Sequence, residues 1–211
     1  MILKLSIISL ISFILIALDV LFDGLLTQLD YTIFEYTLEY NFKMLDSIML
    51  KITTMGNISS IVIFTLLTVI VLALKKDYLS IKFFLLSIIG SSALMSGLKE
   101  LFGRLRPQNY LLDMFQHGNS FPSGHASASM ALSLALFFII YPHISKISQK
   151  FLIAILALFT ISISISRVYF GVHYLSDILG GATLSIFWVL LMVWVFKLPP
   201  FITISEKPRE S

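Results

Sequence analysis

Residues 151–166 read FLIAILALFTISISIS, an unbroken apolar run that passes at Ile161–Ser166 into strict alternation of isoleucine and serine. In water, a period of two marks a half-buried strand. In lipid, an isolated strand leaves its backbone amides and carbonyls without partners, whereas a helix satisfies its own. The stretch therefore reads as a membrane helix whose last turns carry serines bonded within the helix or to its neighbours.

The rest of the chain supports lipid as the solvent. Of its 211 residues, 57% are hydrophobic and 13% charged, well away from the balance of a soluble domain. Runs long enough to cross a bilayer fall near 3–22, 58–74, 79–98, 125–141 and 177–197 besides 151–166. Together they predict an all-α, polytopic membrane protein: a six-helix bundle in one membrane-embedded domain, 1–211, with both termini on one side. Gly90, Gly97, Gly180 and Gly181 are expected to let neighbouring helices approach closely. Lys4 ahead of the first apolar run resembles the start of a signal peptide, but no small-residue cleavage site follows, so a retained signal-anchor helix is expected. Pro199 and Pro200 begin a charged tail that is expected to fray.

Between the first two spans, residues 28–52 are mixed in character. Thr32 and Glu35 have capping-box spacing, and Leu29, Ile33, Tyr36 and Tyr40 form a roughly helical stripe. Tyr31, Phe34 and Phe42 add aromatic side chains suited to the headgroup region. A short interfacial helix is expected here, with a lid over a substrate entrance as the alternative.

Charge gives orientation and narrows function. Lys4, Lys75, Lys76, Lys82, Lys146, Lys150, Lys197, Lys207 and Arg209, nine of the fifteen basic residues, fall on the side of the termini, which the positive-inside rule makes cytoplasmic. The net charge of +3 is spread over helix ends, with no dense basic patch of the kind that binds nucleic acid. The chain has no cysteine, which excludes disulfides, thiolate nucleophiles and cysteine-based zinc sites. Nothing in the sequence fixes an oligomeric state.

Three polar clusters interrupt the apolar chain at the ends of spans facing away from the termini. They are Lys99 to Pro107 with Arg104 and Arg106, Phe121-Pro122-Ser123-Gly124-His125, and Ser166-Arg167 followed by His173 and Asp177. If the loops converge, Lys99, Arg106 and Arg167 meet. At about 5 Å and an effective dielectric of about 20, each like pair repels by roughly 3 kcal/mol, and the nearby acids are few: Glu100, Asp113 and Asp177. Phosphate is the natural guest for such a group. Taken singly, each cation reads as an ordinary snorkelling side chain at a helix end.

Ser123 stands where it can cap the fourth span, and Gly124 lets a ligand approach the backbone, so the helix start offers an anion seat. His173 and Asp177, four residues apart, share a face if the last helix begins a turn early. A carboxylate on one imidazole nitrogen fixes the tautomer and leaves the other lone pair free to attack phosphorus, with His125 protonating the leaving oxygen. His117 and His143 lack such partners. A metal site built from His125, His173 and Asp177 is the competing chemistry, but the adjoining cations would repel a divalent ion and already supply the charge it would bring.

In order and spacing these clusters resemble the signature of the type-2 phosphatidic acid phosphatase (PAP2) superfamily. Lys99, six residues and Arg106-Pro107 resemble its first motif, Pro122-Ser123-Gly124-His125 its second, and Ser166-Arg167, five residues, His173, three residues and Asp177 its third. The motifs occupy 99–177. The resemblance implies a compact membrane lipid phosphatase with an outward-facing site, a phosphohistidine intermediate on His173 oriented by Asp177, and His125 as general acid. Lys99, Arg106, Ser123, Gly124 and Arg167 would hold the phosphate, and no metal or cofactor would be needed. Undecaprenyl pyrophosphate and phosphatidylglycerol phosphate are the favoured substrates, with phosphatidic acid also open. Arg104 lies outside the pattern, as a further phosphate contact or an ordinary loop cation. A non-catalytic transporter or lipid-binding protein is the rival class, since interfacial charges also mark substrate paths.

Overall fold

The structure is a computed structural model that describes residues 1–39, 43–107 and 118–198. Tyr40, Phe42, Asp113, His117, Pro199 and Pro200 lie outside the described residues. Among the described residues, eight α-helices follow in order: α1 (Ile2–Leu21), α2 (Leu25–Glu39), α3 (Lys43–Met55), α4 (Ile58–Leu74), α5 (Tyr78–Phe102), α6 (Gly124–Ile140), α7 (Lys146–Tyr169) and α8 (Leu175–Val195). No strand occurs among the described residues. The Ile-Ser alternation at 161–166 is helical, at the end of α7, and there Ser162 and Ser166 turn their hydroxyls to the carbonyls of Phe159 and Ile163.

Helices α1, α5, α7 and α8, and α6 together with the 3-10 turn that follows it to His143, are each long and apolar enough to cross a membrane. A sixth candidate is bent, as a broken span or a re-entrant loop. Residues 44–55 of α3 and the whole of α4 meet this criterion together, bent by 50° at the break. The protein is thus a multi-pass membrane protein, and the expected interfacial segment resolves into two helices, α2 and α3, rather than one. The spacing of Thr32 and Glu35 does not mark a helix start. Helix α2 begins seven residues earlier because Asp19, at the end of α1, accepts from the amides of Leu26 and Thr27 at 3.1 and 2.8 Å. Thr32 sits mid-helix and bonds back to the Gln28 carbonyl.

Helix α8 is the axis of the bundle and packs against α1, α5 and α6. The core around it joins Phe83, Phe84 and Ile88 of α5, Leu132 and Phe138 of α6, and Val189 and Val193 of α8. Apolar burial alone gives little drive between helices in lipid, so close approach and buried hydroxyls matter more. Ser6 and Ser9 of α1 donate to the Phe187 and Thr183 carbonyls of α8 at 2.9 and 2.8 Å. Ser185 of α8 lies 2.8 Å from Ser91 of α5 and 2.7 Å from Ser127 of α6.

Three of the four glycines singled out in the sequence mark tight approaches. A side chain would run into Trp188 at Gly90, into the Phe121 ring at Gly180, and at Gly181 into the Ser123 carbonyl oxygen 2.5 Å away. Gly97 is different: nothing among the described residues lies within 4 Å of the place its Cβ would take. The Gly181 contact positions the site, because it lets the start of α6 lie against the first turns of α8, where Ser123 N–H donates to the Asp177 carbonyl at 3.0 Å.

Candidate active site

The three polar clusters meet at one end of the bundle, where α5 and α7 end and α6 and α8 begin. Helix α5 stops at Gly103, whose φ of +57° gives the left-handed turn glycine accepts without strain. The chain then passes over the start of α8, where Arg104 meets Ser176 and Asp177.

His173 precedes α8 and is 3% exposed. Its Nδ1 lies 3.2 Å from Asp177 Oδ2, and its Nε2 lies 3.1 Å from Arg106 Nη1. A guanidinium has only donors to offer, so Nε2 carries the lone pair and Nδ1 the proton that faces Asp177. The tautomer is thereby fixed. Burial pushes the imidazole down to about 4 against the pull of Asp177, with Arg106 and Arg167 adding to the fall. Arg106 is anchored by the carbonyls of Gly118 and Val172 at 3.0 and 2.9 Å.

Asp177 is fully buried and saturated with donors. Its Oδ2 accepts from Tyr174 N–H at 2.9 Å, closing the first turn of α8, and from the hydroxyl of Ser120. Its Oδ1 accepts from Arg104 Nη1 at 2.7 Å. Arg104 thus spends its guanidinium on carboxylates and a hydroxyl. It bridges Asp177 to Asp30 of α2, whose Oδ2 is 2.9 Å from Nη2, and lies over the Tyr174 ring at 4.3 Å. Burial alone would weaken its charge, but the two carboxylates more than offset this and raise its pKa. Asp30 also takes the Ser176 amide and hydroxyl, and Tyr31 and Phe34 pack edge-on against Tyr174. Helix α2 is thus tied into the site.

On the opposite wall stand Ser123, Gly124, His125 and Arg167. Ser123 occupies the N-cap of α6, but its hydroxyl caps nothing. That oxygen and Arg167 Nε are both buried without a hydrogen-bond partner among the described residues. A buried donor or acceptor left unpaired costs about 1–3 kcal/mol, and an anion bound at this end of the bundle would give both of them a partner. The first intrahelical bond of α6 is Ser127 N–H to the Ser123 carbonyl, which leaves the amides of Gly124, His125 and Ala126 as the usual unspent helix-start donors. Packing does not require glycine at 124, since its Cβ would come no closer than 3.4 Å, to Met95. Lys99, in the last turn of α5, is within electrostatic reach of Arg106, Asp177 and Arg167.

Every site residue expected from the sequence is at this end of the bundle. The sequence missed Asp30, Ser120, Thr53, which accepts from Arg167 Nη1 at 2.8 Å, and Asn57, 2.9 Å from His125 Nε2. Asp30 did carry one signal, as a carboxylate within an otherwise amphipathic stretch. His143 lies in a short 3-10 turn after α6. Among the described residues, no three His, Asp or Glu side chains converge as metal ligands.

A multi-pass helical membrane protein that gathers cations and two histidines at one end of its bundle belongs to a narrow class. The chain is a member of the PAP2 superfamily, whose family model matches residues 80–199. Phosphatidylglycerophosphatase B of Bacillus subtilis (strain 168) is 31% identical over 111 residues, covering 51% of this chain and 54% of that protein. The match thus spans about half the length of this curated relative. In fold the chain is similar to a transmembrane PAP2 type phosphatidylglycerolphosphate phosphatase from Bacillus subtilis, with a TM-score of 0.77 and 23% identity, covering 93% of this chain and 98% of that one. It is also similar to Aquifex aeolicus LpxE, with a TM-score of 0.62 and 26% identity over 79% of this chain and 95% of the other.

Proposed function

We propose that the protein is a metal-independent phosphatase, acting as one membrane-embedded domain, that removes phosphate from a lipid phosphate monoester or pyrophosphate. The observation that carries this reading is His173, held between Asp177 at Nδ1 and Arg106 at Nε2. Such a histidine presents a lone pair to whatever anion takes Arg106 from it.

In the first step the Nε2 lone pair attacks phosphorus and the bond to the lipid oxygen breaks, while His125 delivers a proton to that oxygen. Asp177 supports the positive ring that results. In the second step water attacks the phosphohistidine, the P–N bond breaks, and His125 takes the proton from the water. Lys99, Arg106 and Arg167, with Ser123 and the amides from Gly124 onward, hold the three phosphoryl oxygens as charge moves onto them. These fixed cations supply the charge stabilisation that a metal would otherwise bring.

The lysine and arginine distribution puts the termini in the cytoplasm and the site on the extracytoplasmic face. Phosphatidylglycerol phosphate is the leading substrate on the strength of the two Bacillus subtilis relatives' names, followed by undecaprenyl pyrophosphate and phosphatidic acid. Inorganic phosphate released from each lipid in detergent micelles, with His173→Ala as blank, tests the reading. Release from at least one above the blank is expected. A protein that binds these lipids and releases no phosphate is a transporter or lipid-binding protein instead.

A further inference from the structure

Asn57 is the N-cap of α4, at the bend between α3 and α4. An asparagine in that place ordinarily spends its side-chain oxygen on an amide of its own first turn. Asn57 makes no such bond, and its Oδ1 lies 2.9 Å from His125 Nε2 instead. The corner is cut to fit the histidine. A Cβ on Gly56 would lie 2.8 Å from His125 Cδ2 and 2.7 Å from Ile163 Cγ2, so only glycine lets this bend close on the ring. One turn earlier, Thr53 accepts from Arg167 at 2.8 Å.

We propose that Asn57 is the positioning residue for His125, accepting its Nε2–H throughout the reaction so that only Nδ1 exchanges protons with the reacting atoms. The proposal rests on the reading of His125 as general acid. An imidazolium has two N–H donors and no lone pair, so a partner that stays bonded in both protonation states must present an acceptor. The amide oxygen does this without competing for the proton. The Nδ1–H then passes to the leaving oxygen, and the lone pair it leaves behind takes the proton from water in the second step. The Nε2–H stays where it is.

Dependence on the leaving group tests this. A nitrophenyl phosphate loses a stabilised phenolate and needs little help from an acid, whereas an alkyl lipid phosphate needs a proton on its leaving oxygen. General acids contribute on the order of 10²–10⁴ in rate. Asn57→Ala is therefore expected to lower kcat/KM, which reports only the step that expels the leaving group, by about 10–100-fold on the lipid phosphate, less than an acid's full contribution because His125 itself remains, with less than about a threefold change on the nitrophenyl ester. Asn57→Asp, which keeps the acceptor oxygen, should restore most of the lipid phosphate rate. His125→Ala, run beside them, should show the same split more strongly. Equal losses on both esters in Asn57→Ala, or no loss, with the split intact in His125→Ala, overturn the role of Asn57 alone. Absence of the split in His125→Ala overturns the general-acid reading and this proposal with it.

Discussion

Arg104 Nη1 lies 2.7 Å from Asp177 Oδ1, and through that contact a residue outside the recognisable motifs holds the carboxylate that orients His173. The same guanidinium reaches Asp30 at 2.9 Å, and both carboxylates are fully buried. Removing one partner of a buried ion pair costs about 3–5 kcal/mol. Arg104→Ala, which strands two carboxylates, should destabilise the protein by about that amount in denaturant or thermal unfolding in detergent. Arg104→Lys should recover only part of it, because a point charge cannot span two carboxylates as a guanidinium does. Full stability in Arg104→Ala would contradict the bridging role.

The environment of His173 sets a pH limit. The proposed nucleophile must be neutral, and burial pushes its pKa down to about 4, so kcat/KM should hold from neutrality to near pH 5 and fall as pH approaches 4. In the unfolded chain this group titrates near 6.5, so the unfolded state binds more protons between those values. Its effect on stability is therefore absent above about pH 6.5 and grows unfavourable as pH falls towards 4. A pH–rate profile in detergent checks this, and an acid limb near 6.5 would mean a solvated imidazole.

Gly181→Ala places a methyl 2.5 Å from the Ser123 carbonyl oxygen. Backbone cannot swing aside as a side chain can, so α6 and α8 must part at the proposed phosphate seat. Overpacking of this kind costs about 1–3 kcal/mol, and activity should fall with it. Gly97→Ala is the control: with open space at its Cβ, it should be neutral or more stable by about 0.5–1 kcal/mol. Thermal unfolding of both variants tells them apart, and equal losses would contradict the packing described.

The orientation follows from single cysteines in a chain that has none. Leu105→Cys, beside the site and 79% exposed, should react with an impermeant thiol reagent on intact cells. Lys146→Cys, exposed at the other end of the bundle, should react only after the membrane is opened. The reverse pattern would turn the protein over.

The spans and the cationic site were legible because each rests on local sequence. Apolar runs set the helices, and the motifs carry Lys99, Arg106, Ser123, His125, Arg167, His173 and Asp177 at fixed offsets. The second layer of the site was not legible. Asp30 meets Ser176 across 146 residues and Arg104 across 74, and nothing in the spacing of either announces the other. Asn57 starts a helix, yet its side chain lies against a histidine 68 residues away. Thr32 and Glu35 misled for the opposite reason, since the pattern was local but the cap came from Asp19, across the turn between α1 and α2. Local patterns find the groups proposed to touch phosphate, while the groups that hold them are chosen by the packing of helices far apart in sequence.

The most direct test of the mechanism is a rapid-quench experiment with a lipid phosphate labelled in its phosphoryl group. Within a single turnover, label should appear transiently on the peptide that carries His173, decay as inorganic phosphate rises, and be absent from His173→Ala, which should also release no phosphate. Steady turnover by His173→Ala, or burst release of phosphate from the wild-type protein with no labelled His173 at any time, would contradict the account.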